Sequence, residues 1–310
     1  MSKEMRAVFS EILDEYMAKD PMVCVIDSDL AKANGTHGLR FKYPDRALDV
    51  GIAEQNMAGV AAGMETFGFK PFITTFTPFA TRRIADQIAI SISYAKRNVK
   101  IVGTDPGVTA ETNGGTHMSM EDIGIMRSIP GIVVFEPVDA VQLEKAMPQI
   151  MEYEGPMYIR MARKVVPQVF DDSYDFKLFK ADVLTEGSDV TIIASGIMVD
   201  ESLQAVKALE EEGIRAEVIN LHTIKPVDVE TVVASAKKTG AVVTADNGNI
   251  IGGVFSAVSE VLAQELPTPV VPVGVMDRFG EVGKLDYLKE AMGLTVSDIV
   301  TAAKKAISKK

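Results

Sequence analysis

The chain has 310 residues, 47% of them hydrophobic and 24% charged, with a formal net charge of −11. That balance excludes a disordered chain and suffices for two domains with sizeable cores, while no apolar run approaches the roughly 20 residues of a membrane span. The acidic excess argues against nonspecific attraction to nucleic acid or anionic membranes, so any anionic ligand must be met locally by arginines or helix N-termini.

Met5 to Met17 carries apolar residues at helical spacing, with acidic residues where a signal peptide would need an uninterrupted apolar region. A cytoplasmic location is therefore expected. Strand Met22 to Ile26 follows and ends in Asp27-Ser28-Asp29, where Asp29 suits the capping of a turn. Ala47 to Val50 is a short apolar run, Gly51 breaks it, and Ala58 to Met64 has a small-residue helix pattern. Glu54 thus stands where a strand turns into a helix, near the positive end of the helix dipole. A helix is expected from about Phe79 to Lys96, then strand Val99 to Gly103 and the long loop Thr104 to His117, TDPGVTAETNGGTH. Open α/β sheets place ligands at such a strand's carboxyl end. A helix from about Ser119 to Ile129, strand Ile132 to Phe135, a capping-box start at Asp139 with Gln142, a helix to about Tyr153 and strand Met157 to Met161 complete the first half.

The periodicity lapses between Pro167 and Ser188, which divides the chain into residues 1–169, a linker of 170–187, and a second domain of 188–310. Alternation then restarts. Strands are expected at Val190 to Ala194, Ala216 to Leu221, Ala241 to Ala245 and Val270 to Val275. Between them lie a helix lined by Leu203, Val206 and Leu209 and closed by Gly213, and helices near Val229 to Lys238 and Val254 to Gln264; Thr295 with Asp298 opens a last one. The fold class is α/β, two domains each built on a mostly parallel sheet flanked by helices.

Locally, Glu54 fits an ordinary first-turn glutamate, Phe76 and Phe79 fit a core, and His117 fits a solvated loop. Their wording together says more. Gly51-Ile52-Ala53-Glu54-Gln55-Asn56-Met57, followed by Lys70-Pro71-Phe72, Thr75-Phe76 and Phe79, resembles the pyrimidine-binding domain of transketolase, a thiamine-diphosphate enzyme. The loop ending in Thr116-His117, with the later turn Ile129-Pro130-Gly131, resembles the same family. The resemblance implies that Glu54 bonds N1′ of the cofactor's aminopyrimidine and so activates the cofactor, that Phe76 and Phe79 pack against that ring, and that Asp29 lies near the cofactor and substrate channel. Burial of Glu54 against apolar walls would favour a proton shared with the ring nitrogen over a solvated charge. His117 would contact the sugar oxygens and move protons there. Arg6 and Arg163 match positions where the family holds a sugar phosphate, a task suited to guanidinium. Asn113 stands where many members have an aspartate that faces the sugar, and Thr104 where they have a second histidine; both departures bear on which sugar is used.

Thiamine-diphosphate enzymes hold the diphosphate through Mg²⁺ on a Gly-Asp-Gly motif followed about 30 residues later by asparagine, and this sequence contains no such motif. No metal ligand is therefore assigned to this chain. The resemblance covers the pyrimidine and C-terminal domains only, with Met1 close to the start of the former. This implies the C-terminal subunit of a split transketolase of the pentose phosphate pathway, transferring a two-carbon ketol unit between phosphorylated sugars. It would pair with a separate N-terminal subunit that supplies most of the Mg²⁺ and diphosphate site, in a heterotetramer, and pair with itself through pyrimidine domains. The β subunit of a 2-oxo-acid dehydrogenase, a 1-deoxyxylulose-5-phosphate synthase-like enzyme and a noncatalytic partner-binding paralogue are the alternatives. Asp246-Asn247-Gly248-Asn249 reads as a strand-end turn without the further carboxylates of a cation site. Cys24 reads as inert filler, and His37 and His222 have no second ligand nearby.

Overall fold

The computed structural model describes residues 3–310. Twelve strands are numbered β1 Val23–Asp27, β2 Ala47–Asp49, β3 Lys70–Phe76, β4 Lys100–Thr104, β5 Val133–Phe135, β6 Met157–Met161, β7 Asp182–Thr185, β8 Val190–Ala194, β9 Ala216–Asn220, β10 Thr223–Lys225, β11 Val242–Asn249 and β12 Val270–Val275. They form two sheets, in the orders β10-β5-β6-β4-β3-β1-β2 and β12-β11-β8-β9-β7. Every pair is parallel except β10 with β5 and β7 with β9. Strands such as Val23–Asp27 and Met157–Met161 are buried throughout, as parallel strands covered by helices on both faces must be. The two α/β domains expected from the alternation are present.

Four differences from the expected elements have physical causes. β3 carries a proline and two threonines that dilute its apolar run, yet it is fully buried after Lys70 and pairs with both β1 and β4. The helix expected over Phe79 to Lys96 is broken. The backbone leaves helical angles at Thr81 (φ −125°, ψ −83°) and at Ile84 (φ −121°, ψ 20°), so the segment runs as a short helix Thr77–Ala80, a 3-10 turn Arg82–Ile84, a further turn, and a π-helix Ile88–Tyr94. Within the stretch read as a linker, Asp182–Thr185 pairs antiparallel with β9, and β10, which lies beyond β9 in sequence, crosses over to close the edge of the first sheet. Both strands are too short to carry a periodic signal. Finally, Asp246-Asn247-Gly248-Asn249 is no terminal turn: β11 continues through it after a register shift, and Asn249 pairs with Val275.

Asp139 caps the helix Ala140–Glu152 by accepting from the Gln142 N–H, and Thr295 and Asp298 form the reciprocal capping box of the last helix. No helix of the described residues is long and apolar enough to cross a membrane.

Candidate active site

Because β1, β2, β3, β4 and β6 are parallel neighbours, their carboxyl ends emerge at one edge of the first sheet. Those ends carry the residues singled out from the sequence: Asp29 after β1, Glu54 after β2, Phe76 closing β3 and Phe79 after it, the loop to His117 after β4, and Arg163 after β6. A crossover topology therefore gathers groups from Asp29 to Arg163, 134 positions apart in sequence.

Glu54 is the first residue of the helix Glu54–Glu65 and is only 4% exposed. The turn before it is tied to β1 by Ser28, whose hydroxyl donates to the Gly51 carbonyl (2.6 Å) and accepts from the Ala53 N–H (3.0 Å). Gly51 has φ +73°, which a side chain would strain. Ser28 thus positions the turn that places Glu54, a role without a sequence signal of its own. Apolar walls are only part of the carboxylate's surroundings: Arg83 Nη1 donates to both oxygens at 3.1 Å, from the 3-10 turn that interrupts the expected helix. Arg83 escaped notice in the sequence because a regular helix would have given it a different direction.

From there the contacts run on without a gap. The Arg83 guanidinium lies 4.4 Å from the Phe79 ring centroid, Phe79 meets the His117 ring edge-on at 5.4 Å, and His117 meets Phe76 at 6.1 Å. The Arg163 guanidinium lies 4.8 Å from the Phe76 ring and pairs with Asp105 at 2.5 Å. Burial pushes the Asp105 carboxyl above its ordinary range, against the pull of Arg163. The Thr116 hydroxyl is 2.9 Å from His117 Nδ1 and can orient the ring so that Nε2 is the free nitrogen.

Arg6 reaches the same neighbourhood through its backbone, its N–H donating to the Arg163 carbonyl (3.2 Å). Its side chain is occupied by Glu4 (2.8 Å) and the Ala33 carbonyl (3.0 Å). Asp29 is exposed with φ +60°, and its own N–H is accepted by the Asp49 side chain (3.0 Å); the side chain that caps this turn is Asp49, not Asp29. Asn113 is exposed at the end of the 3-10 segment Gly107–Asn113. Thr104 faces inward instead. Fully buried, it donates to Asn34 Oδ1 (2.9 Å); Asn34 donates to Thr74 (3.0 Å), and Thr74 to Asp27 (2.5 Å). Burial raises Asp27 to about 6.

Two family models match the chain: "Transketolase, pyrimidine binding domain" over residues 1–168 and "Transketolase, C-terminal domain" over residues 179–299. Among curated proteins, it is 52% identical over 99% of its length to the 6-deoxy-6-sulfo-D-fructose transketolase subunit of Clostridium sp. (strain MSTE9), covering 95% of that protein. It is 39% identical over 94% of its length to a putative transketolase C-terminal section of Methanocaldococcus jannaschii, covering 92% of it. Among solved structures, one described as "Split gene transketolase, inactive beta4 tetramer" superposes with a TM-score of 0.91 at 44% identity, covering 99% of both chains.

Proposed function

The chain belongs to the transketolase family, and from that premise we propose that it is the C-terminal subunit of a two-chain, thiamine-diphosphate-dependent enzyme that moves a two-carbon ketol unit between sugars ending in an anion. The observation that carries the reading is the unbroken run of contacts Glu54–Arg83–Phe79–His117–Phe76–Arg163 along one sheet edge.

The residues fit half of the cofactor. A buried carboxylate at a helix start, linked through Arg83 to a pair of neighbouring phenylalanine rings, suits a flat aminopyrimidine, with Glu54 on N1′ and Phe76 and Phe79 against the ring. When bound, the cofactor supplies the nucleophilic carbon that cleaves the bond beside a ketone. His117, edge-on to both rings, holds and moves protons at the sugar oxygens next to that bond. Arg163 takes the sugar's far anion, with Arg6 behind it. The diphosphate and Mg²⁺ are assigned to a separate N-terminal subunit, because the sequence lacks the Gly-Asp-Gly motif.

The charge at the anion end favours one substrate class. Arg163 and Arg6 each carry a carboxylate partner, Asp105 and Glu4, so each arginine with its partner is close to neutral. A sulfonate carries one negative charge, whereas a phosphate monoester carries nearly two at neutral pH. The near-neutral site suits the monoanion. With the 52% identical relative named for 6-deoxy-6-sulfo-D-fructose, a 6-sulfonated ketose is the preferred donor, ahead of the phosphorylated sugars that the family resemblance alone implies.

The test is reconstitution with a candidate N-terminal subunit and an assay of ketol transfer from 6-deoxy-6-sulfofructose and from fructose 6-phosphate. Turnover only with both chains present, and a higher kcat/KM for the sulfonated donor, is expected. Full turnover by this chain alone would overturn the two-subunit reading, and a preference for fructose 6-phosphate would overturn the sulfonate assignment.

A further inference from the structure

The loop that carries His117 is held by the second domain as well as by its own, where Asp105 pairs with Arg163 and Glu111 with Lys164. Four of its residues have left-handed backbone angles, Asp105 (φ +55°), Gly107 (+53°), Glu111 (+49°) and Gly114 (+74°), and the two that are not glycine are disfavoured there. A loop of this shape persists only if its surroundings impose it.

In the second domain those surroundings lie on β11 and on the segment 276–284. Asn247, 1% exposed, reaches from β11 to the base of the loop: its Nδ2 donates to the Pro106 carbonyl (2.8 Å), and its Oδ1 accepts from the Val108 N–H (2.8 Å). One amide side chain thus replaces the backbone pairing that residues 106–108 cannot make among themselves. The fit leaves no room, since a Cβ at Gly107 would sit 2.2 Å from the Asn247 carbonyl oxygen. At the tip, a Cβ on Gly115 would come within 2.4 Å of the Gly280 carbonyl oxygen, and one on Gly114 within 2.8 Å of Val282. On the return, the Met120 carbonyl accepts from the Asn249 N–H (2.6 Å). His117 lies between the held tip and the held return.

We propose that the C-terminal domain is a clamp that sets the position of His117, with Asn247 as its principal positioning residue. The inference rests on the reading of His117 as the proton-handling group. An asparagine is needed because the site asks for one donor and one acceptor on a planar group. Aspartate would turn an oxygen toward the Pro106 carbonyl, and alanine would leave both backbone groups unpaired in a buried place. The tetrapeptide containing Asn247, which by sequence resembles a spent turn, acquires a purpose in this way.

The experiment uses the full chain, alone and reconstituted with its partner, in the variants Asn247→Ala, Gly107→Ala and Arg127→Gln. Arg127 joins the two domains away from the loop, through the Gly252 carbonyl and Glu260, and serves as the control for a loosened interface. Hydrogen exchange of amides 107–120 in the isolated chain is expected to rise tenfold or more in the first two variants, with β8 unchanged, and to stay at the wild-type rate in Arg127→Gln. In the reconstituted enzyme the first two should lower kcat at least tenfold with donor KM changed less than threefold, and the double variant should be no worse than either single one. Wild-type exchange in the loop of Asn247→Ala would overturn the clamp whatever the enzyme's activity, and so would an equal kcat loss in Arg127→Gln. Faster loop exchange in Asn247→Ala, found together with a wild-type chain that supports no ketol transfer with any partner, would instead count against the proposed function and leave the clamp standing.

Discussion

Replacing Glu54 by glutamine separates its two roles, because the structural cost is small and the chemical cost is not. The side chain keeps its size, so the packing of the helix Glu54–Glu65 is retained. What is lost is a charge beside a helix N-terminus, about 0.3 to 1 kcal/mol, and an ion pair with Arg83, whose side chain is 46% exposed, about 0.2 to 1 kcal/mol after solvent screening. The sum stays below about 2 kcal/mol, a shift of some degrees in Tm. For the chemistry, loss of a group that shares a proton with the cofactor ring should cost roughly 10²- to 10⁴-fold in kcat, about 3 to 5 kcal/mol of barrier. Both quantities are measured on one preparation: thermal unfolding of the Glu54→Gln chain, then ketol transfer in the reconstituted enzyme at saturating thiamine diphosphate. Wild-type turnover with the cofactor demonstrably bound would refute the assignment, and a collapse of the fold would refute the energetic argument.

Arg163→Ala is expected to raise KM for an anionic donor by tenfold or more and to leave KM for an uncharged ketol donor nearly unchanged, since a charge-assisted contact is lost only in the first case; equal effects on both donors would remove Arg163 from the anion site. Calorimetric titration of the isolated chain with thiamine diphosphate and Mg²⁺ should show weak binding, because the acidic chain offers only the pyrimidine half of the site, and micromolar affinity would contradict the division of labour. For Asp27, raised by burial to about 6 from an ordinary 3.8, the folded state takes up a proton between about pH 4 and pH 6 that the unfolded state releases. Its contribution is therefore full below pH 4 and lost as pH rises through 6, by roughly 3 kcal/mol. Buried His222, lowered to about 4, acts in the opposite sense over much of the same window, so the measurement is a difference: denaturant unfolding of wild type against Asp27→Asn at pH 4 and pH 7. The advantage of wild type over the variant should shrink toward pH 7, and a constant difference would show that Asp27 does not titrate as described.

Local chemistry carries much of the fold by itself. Alternating buried runs and helical periods in one chain admit a parallel sheet with covering helices, and Gly51, Asp139 and the Thr295–Asp298 box mark a turn and two helix starts through interactions within a few residues. Local chemistry alone reads Glu54 as a first-turn glutamate, Phe76 and Phe79 as core and His117 as a loop residue; only the resemblance of their combined wording to the transketolase pattern sets them apart. Tertiary structure alone decided the rest. Arg83 meets Glu54 only because the backbone breaks at Thr81 and Ile84, and Thr104 turns inward only because Asn34, 70 positions earlier in the chain, is there to accept from it. Arg163 finds Asp105, and Asn247 finds Pro106 and Val108, across 58 and about 140 positions. β10 joins the first sheet although it follows β9 of the second. No periodicity or spacing encodes such pairings, because a hydrogen bond or ion pair between distant segments depends on where the packed sheets place them, and that placement follows from the burial of the whole chain rather than from any stretch of it.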